Sequence, residues 1–166
     1  MGLPGFQGKY FNQCILALRG STSVGQFEIH LASLSGFSYI IVTASSKHEK
    51  RLKYLGGTRF VDHDCPLSEL ASVHGLKMVM DGLFTLVFDV VGSPATQQAL
   101  YDALVPRGKL ALIAMHSEIV ISPSPGDAKS VISVQGLLTF PANEAFGTEV
   151  CASARELFAT GNLKVR

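Results

Sequence analysis

The sequence predicts a single α/β domain, in which a parallel six-stranded sheet is doubly wound by helices. The chain has 166 residues, of which 47% are hydrophobic and 16% are charged, and this is enough apolar material for one compact core. Short apolar runs alternate with longer stretches of helical period, as in strands joined by crossover helices. The first run leads into a turn of small residues, Gly20 to Gly25, which is typical of the strand order 3-2-1-4-5-6.

The first half of the chain predicts three strands and two helices. The strands are expected at Cys14–Leu18, Tyr39–Thr43 and Arg59–Val61. A helix is expected from Val24 to Leu34 with Gly36 as its stop. Its spacing predicts a side facing the sheet that consists of Val24, Phe27, Leu31 and Leu34. A second helix is expected to begin at a cap on Ser45 or Ser46 and to end before Gly56, with Leu52 and Leu55 buried.

The second half predicts three more strands and three helices. The strands are expected at Thr85–Val90, Lys109–Ala114 and Val131–Val134, and the helices at Pro66–His74, from Ser93-Pro94 to Pro106, and at Phe146–Thr160. The expected inward residues of the last two helices are Ala99, Leu100, Ala103 and Leu104, followed by Val150, Ala154 and Leu157. The segment Ser117–Lys129 is rich in serine and proline and is expected to be a loop.

Composition excludes several classes of protein. A net charge of +1 gives no electrostatic footprint for nucleic acid or for an anionic membrane. The apolar runs are far shorter than the roughly 20 residues that cross a bilayer, and Met1 is not followed by a secretion leader, so we expect a cytoplasmic protein. Cys14, Cys65 and Cys151 are widely spaced, which predicts neither a disulfide framework nor a metal site.

The turn Gly20-Ser21-Thr22-Ser23-Val24-Gly25 carries the main functional prediction. It lies between a strand and a helix, where backbone N–H groups and the helix dipole attract an anion. The hydroxyls of Ser21, Thr22 and Ser23 add donors, and the turn therefore predicts a cradle for the pyrophosphate of a dinucleotide. The usual G-x-G-x-x-G motif has glycine where Thr22 or Ser23 stands, and the alternative is a tight turn with a serine cap and no ligand.

The residues after the second strand predict which dinucleotide is bound. An acidic residue there would hold a ribose 2′-hydroxyl, but the chain has Ser45, Ser46 and Lys47. Two hydroxyls and an ammonium group, with Lys50 and Arg51 one turn further on, suit a phosphate, so NADP(H) is favoured over NAD(H). The alternative is a capping Ser45 or Ser46 followed by a solvated helix face of Lys47, Lys50 and Arg51.

Two further polar residues follow predicted strands. Asp89 is expected to hold the N–H groups of its own loop rather than to act as a base. His63 is a candidate for contact with an adenine ring, and an ordinary surface histidine is the open alternative. No catalytic residue is predicted.

Four segments of the chain resemble the medium-chain dehydrogenase/reductase superfamily, and in particular its fungal zinc-independent alcohol-dehydrogenase-like and enoyl-reductase group. They are Gly20–Gln26, Leu31–Phe37, Thr43–His48 and Phe88–Gly92. The resemblance implies a Rossmann fold, with the pyrophosphate on Ser21, Thr22, Ser23 and Val24 and the 2′-phosphate on Ser45, Ser46 and Lys47. It also implies that His63 stands where a tyrosine often lies near the adenosine, and that Arg19 replaces a common second glycine.

Members of that superfamily also have a long catalytic region that closes over the nicotinamide, whereas only residues 1–12 precede the first strand here. We therefore expect one Rossmann domain over 1–166 without the catalytic domain. Hydride transfer needs both reactants held in a dry cleft, which a cofactor domain alone does not supply. The expected function is non-catalytic. The chain is expected either to bind NADP(H), with an affinity that is weak or lost, or to bind a protein partner, for example as a fungal immunomodulatory protein. The alternative is a fragment of an NADP(H)-dependent alcohol, enoyl or quinone oxidoreductase.

The segment Val131–Leu138 predicts self-association. It is apolar and carries no charge, so as an edge strand it is not protected against pairing with another chain. The resemblance implies a homodimer formed by two sixth strands edge to edge.

Overall fold

A parallel sheet of six strands forms the centre of the protein, in the order β3-β2-β1-β4-β5-β6. The computed structural model describes residues 9–66, 84–113, 118–123, 126–134, 136, 141–161 and 163, without the side chains of 142 and 146. The strands are β1 (Cys14–Ala17), β2 (Tyr39–Ala44), β3 (Arg59–Asp62), β4 (Phe84–Asp89), β5 (Leu104–Leu112) and β6 (Ser130–Ser133). All five strand pairs are parallel, which confirms the predicted fold class and strand order.

Four α-helices are described beside the sheet. They are α1 (Ser23–Leu34), α2 (Glu49–Tyr54), α3 (Pro94–Asp102) and α4 (Glu144–Ala159), with short 3₁₀ turns at Ser46–His48 and Pro141–Asn143. The helix predicted at Pro66–His74 lies outside the described residues after Pro66. None of the described helices is long and apolar enough to cross a membrane.

The side chains of the central strands alternate between two buried cores. In β1, Leu16 packs into one core with Leu100 of α3, while Ile15 packs into the other with Ile29 of α1 and Leu52 of α2. This alternation is the period of two that a β-strand imposes. A parallel sheet normally buries both faces, and among the described helices α3 packs into one core and α1 and α2 into the other.

The helix ends follow the sequence prediction closely at three places. The side chain of Ser93 accepts a hydrogen bond from the Thr96 backbone N–H and caps α3. Gly36 ends α1 with a φ of 86°, a conformation that costs glycine little. Gly161, with a φ of 68°, follows α4 in the same way.

The predicted inner face of α1 is wrong. Val24 and Leu31 are exposed, at 49% and 37%, and the helix instead buries Gly25, Ile29 and Ala32. A Cβ on Gly25 would lie 2.7 Å from the Cα of Gly20, so a side chain at position 25 would prevent the helix from touching the turn. Residues four and seven positions later then follow Gly25 onto the sheet.

Three other local predictions are also corrected. No serine side chain caps α2, because the 3₁₀ turn intervenes and the His48 N–H donates to the Ser45 carbonyl. Helix α3 ends at Asp102, before Pro106, because Leu104 pairs with Phe84 and the register shifts before Lys109. Val150 of α4 is exposed, whereas Leu157 is buried as predicted.

Candidate functional site

The turn between β1 and α1 is fastened to the end of β2. The backbone N–H of Gly20 donates to the Thr43 carbonyl at 2.9 Å, and that of Arg19 donates to Thr43 Oγ1 at 3.1 Å. Arg19 has a φ of 50°, a left-handed conformation that is uncommon for a residue with a side chain. These two bonds hold the chain as it reverses from strand to helix.

Two glycines make this turn tight. A Cβ on Gly20 would meet Ile29 Cδ1 at 2.8 Å, and one on Gly25 would meet the Arg19 carbonyl oxygen at 2.8 Å. Neither position has room for a side chain without movement of its neighbours. The close approach brings the first turn of α1 directly above the end of β1.

The backbone N–H groups at the start of α1 differ in how they are used. The Thr22 hydroxyl caps the helix by accepting a hydrogen bond from the Gly25 N–H at 3.1 Å, and it donates one to the Arg19 carbonyl at 3.0 Å. Within the described residues, no hydrogen bond is donated by the N–H groups of Ser21, Ser23 or Val24. Unpaired N–H groups at a helix N-terminus form an anion site, because the helix dipole adds to their positive potential.

The segment after β2 presents hydroxyls and a cation beside this turn. Ser45 is half-buried, while Ser46 and Lys47 are exposed. The side chains of both serines are free of capping bonds at the 3₁₀ turn and at α2. Arg19 and Gly20 are hydrogen-bonded to Thr43. Ser45 follows Thr43 by two positions, so the Ser45–Lys47 segment begins next to the turn.

A glutamine and an arginine connect α2 to the same turn. Gln26 donates from Nε2 to the Ser21 carbonyl at 2.9 Å and accepts from Arg51 through Oε1. Sequence reasoning missed Gln26 and Thr43 as supports of the site. Their partners lie up to 25 positions away along the chain, so no local pattern marks them.

His63 lies at the same edge of the sheet. Its backbone N–H donates to the Ala44 carbonyl at 3.2 Å, which continues the β2–β3 ladder to the start of the Ser45 segment. Its exposed ring lies 3.2 Å from an Asp62 carboxylate oxygen and 3.4 Å from one of Asp64. This hydrogen bond places His63 beside Ala44, the residue before the predicted phosphate contacts Ser45 and Ser46. Two carboxylates surround its ring.

Asp89 is a structural residue, as predicted. It is fully buried, and its Oδ1 accepts from the N–H groups of Val91 and Gly92, each at 2.8 Å. Its Oδ2 accepts from the Thr96 hydroxyl at 3.1 Å. Val91 and Gly92 lie in the connection after β4 and Thr96 lies in the first turn of α3, so Asp89 ties this connection to the helix.

Comparison with known proteins identifies relatives of this chain. The model of the family described as zinc-binding dehydrogenase matches residues 23–152. An uncharacterized Saccharomyces cerevisiae protein, YNL134C, is 33% identical over 131 residues, which are 78% of this chain and 33% of the yeast protein.

Solved structures share the fold. An alcohol dehydrogenase superfamily protein from Novosphingobium aromaticivorans has a TM-score of 0.74 and 25% identity over 92% of this chain and 45% of its own. Escherichia coli quinone oxidoreductase, solved with NADPH, has a TM-score of 0.71 and 19% identity over 99% of this chain and 53% of its own. The chain thus spans about a third to a half of the length of these proteins.

Proposed function

The chain belongs to the zinc-binding dehydrogenase family, and from that premise we propose that it binds NADP(H) as the cofactor-binding part of an alcohol, enoyl or quinone oxidoreductase. One observation carries the proposal. The fastened turn between β1 and α1 keeps the N–H groups of Ser21, Ser23 and Val24 free of described partners. A pyrophosphate is the anion that this position suits in a doubly wound sheet.

The preference for NADP(H) over NAD(H) is proposed from the residues after β2. The described end of this strand has no acidic residue to hold a ribose 2′-hydroxyl. Ser45 and Ser46 carry hydroxyls that cap no helix, and Lys47 is an exposed cation. A 2′-phosphate would receive hydrogen bonds and charge from them.

Each part of the site has a separate role in this proposal. A bound nicotinamide cofactor supplies hydride transfer. The chain's own residues bind and orient it: Gly20 and Gly25 allow the close approach, Thr22 orders the first turn of α1, and Gln26 holds the Ser21 carbonyl. His63, beside the Ala44 carbonyl, is proposed to lie against the adenosine.

The family description names zinc, and the described residues do not fit a zinc site. Their only group of three close ligand atoms is Asp62, His63 and Asp64, all exposed. Two carboxylates and one imidazole at the surface differ from the cysteine- and histidine-rich sets that hold zinc. We therefore assign no step to zinc.

A titration with NADPH tests the proposal. The chain has no tryptophan, so the emission of the cofactor is followed without indole background. We expect a saturable enhancement of this emission, with a Kd between roughly micromolar and millimolar. The Kd should lie toward the millimolar end if tight binding needs a second wall of the cofactor groove. NADH should bind more weakly, and a flat titration with NADPH would overturn the proposal.

Turnover separates the two functions that the sequence leaves open. We expect the 166-residue chain to bind NADPH without reducing enals or quinones, since no catalytic residue is assigned to it. Reduction by the purified chain would show that it is an enzyme on its own. The immunomodulatory role and the cytoplasmic location remain predictions from the sequence.

A further inference from the structure

An apolar groove runs along the side of α1 that sequence analysis assigned to the sheet. It has a volume of about 330 Å³ and lies between Val24, Phe27 and Leu31 of α1 and the strand residues Leu86 and Phe88. This volume is in the range of small-molecule pockets, which are mostly apolar with a few polar groups. The stacked rings of Tyr10 and Phe37, 4.5 Å apart, also line it.

One acidic side chain lines this apolar groove. Glu28 is only 7% exposed, and neither of its carboxylate oxygens has a hydrogen-bond partner within the described part of the chain. Buried polar groups in proteins are nearly always paired, so such an exception calls for an explanation. A ligand that brings the missing partner would provide one.

The protonation of Glu28 indicates which chemistry the partner needs. Burial raises the pKa of its carboxyl well above the ordinary value, because the surroundings disfavour the charged form. A neutral carboxyl group has one O–H donor and retains acceptor capacity. Its complement is an uncharged group that both accepts and donates, such as a hydroxyl or a primary amide.

We propose that the groove between α1 and β4 binds a small apolar molecule whose single hydroxyl or primary amide pairs with Glu28. The apolar body lies against Val24, Leu31 and Leu86, where it gains from leaving water. An anion is disfavoured because no cation is among the described residues that line the groove, and a cation is disfavoured because it would need an ionised Glu28, the form that burial disfavours. The site is separate from the cofactor turn, which it meets only at Val24.

Four probes with the same six-carbon chain test the chemistry: 1-hexanol, hexanamide, hexylammonium and hexanoate. Binding to the 166-residue chain is followed by NMR shifts of the methyl groups of Ile15, Leu31 and Leu86. We expect the alcohol and the amide to bind at these methyls, and both ions to bind at least about tenfold more weakly. This test does not depend on cofactor binding, which is measured separately with NADPH.

Two substitutions of Glu28 separate pairing from packing. Glu28→Gln keeps a donor and an acceptor and should leave the Kd of hexanamide within about threefold, whereas Glu28→Met should weaken it by roughly three- to tenfold, the range of one hydrogen bond. Glu149→Met on α4, an exposed position, is the matched control and should change nothing. Circular dichroism checks that each variant is folded.

Several results would overturn the proposal. One is absence of binding by every probe up to its solubility limit, and another is binding of the ions as tight as that of the alcohol and the amide. A third is that folded Glu28→Met keeps the same preference for the alcohol and the amide over the ions. Sedimentation provides a further one: if Leu31→Glu turns a dimer into a monomer, the groove is an interface between copies of the chain.

Discussion

Arg51 on α2 donates hydrogen bonds from Nε and Nη2 to Oε1 of Gln26 on α1, at 2.8 and 2.6 Å. From the sequence, Arg51 is expected either near a phosphate or on a solvated basic helix face. The structure shows that its guanidinium instead supports the residue that holds the Ser21 carbonyl. Lys47 is exposed and directly follows Ser46, and it is the cation with which we expect a 2′-phosphate to interact.

Replacing Lys47 with alanine should weaken NADPH binding selectively. Loss of one charge-assisted contact to the 2′-phosphate should raise the Kd for NADPH by roughly three- to tenfold and leave that for NADH unchanged. Lys53→Ala is the matched control, since Lys53 pairs with Glu49 at 2.6 Å. Fluorescence titration measures both, and equal losses for the two cofactors would refute the assignment of Lys47.

Replacing Gly25 with alanine should damage both the fold and the cofactor site. Its Cβ would lie 2.7 Å from Gly20 Cα and 2.8 Å from the Arg19 carbonyl oxygen, and backbone atoms cannot move aside cheaply. We expect the free energy of unfolding to fall by about 1–3 kcal/mol and NADPH to bind more weakly. Gly136→Ala is the control, because no described residue beyond its chain neighbours has an atom within 4 Å of its Cβ position. Full stability of Gly25→Ala in urea would contradict the close approach.

The stability of the protein should fall with rising pH on account of Glu28. Its pKa is raised in the folded state by burial, so the folded state holds its proton more tightly than the unfolded state does. The contribution of Glu28 is fully present below its unfolded pKa and is lost as the pH rises toward the folded pKa.

Glu28→Gln removes this titration. We expect the free energy of unfolding of the variant to match that of the wild type near pH 4 and to exceed it increasingly as the pH rises above the unfolded pKa of Glu28. Urea unfolding at several pH values measures it, with exposed Glu149→Gln as control. A difference that is independent of pH would rule out the raised pKa.

Cys14 should be unreactive in the folded protein. It is buried, and burial raises its pKa to about 12, so almost no thiolate exists near pH 8. Cys151 is exposed on α4 and should react with a thiol reagent much faster. In a variant with both Cys65→Ser and Cys151→Ser, labelling of Cys14 should proceed only as fast as the protein unfolds, and rapid labelling under native conditions would show that β1 is accessible.

We propose that the chain forms a homodimer through the edge that begins with β6. Val131–Leu138 is described only at residues 131–134 and 136, where Ile132 and Val134 are 41% and 38% exposed. Val134→Lys should shift sedimentation toward monomer, because a charge at an edge opposes pairing. Val150→Lys, at a similarly exposed position, should not. A monomeric wild type at roughly tens of micromolar would exclude this dimer.

The sequence determined the approximate positions of the strands and several helix ends, because these depend on neighbours along the chain. The strand order followed from the glycine turn after the first strand, which is typical of doubly wound sheets. The apolar run of β1, the proline after Ser93 and the left-handed Gly36 are each recognised within a few residues. The glycine turn indicated where a phosphate would bind for the same reason.

Only the tertiary structure decided which face of α1 is buried and what its polar residues contact. The contact of Gly25 with Gly20 rotates the helix so that Ile29 lies on the sheet and Val24 and Leu31 lie outside it. Gln26 then meets Arg51, and Glu28 is buried without a described partner. Sequence periodicity fixes the spacing of residues on a helix but not the rotation of the helix about its axis, which depends on contacts with residues far away in the chain.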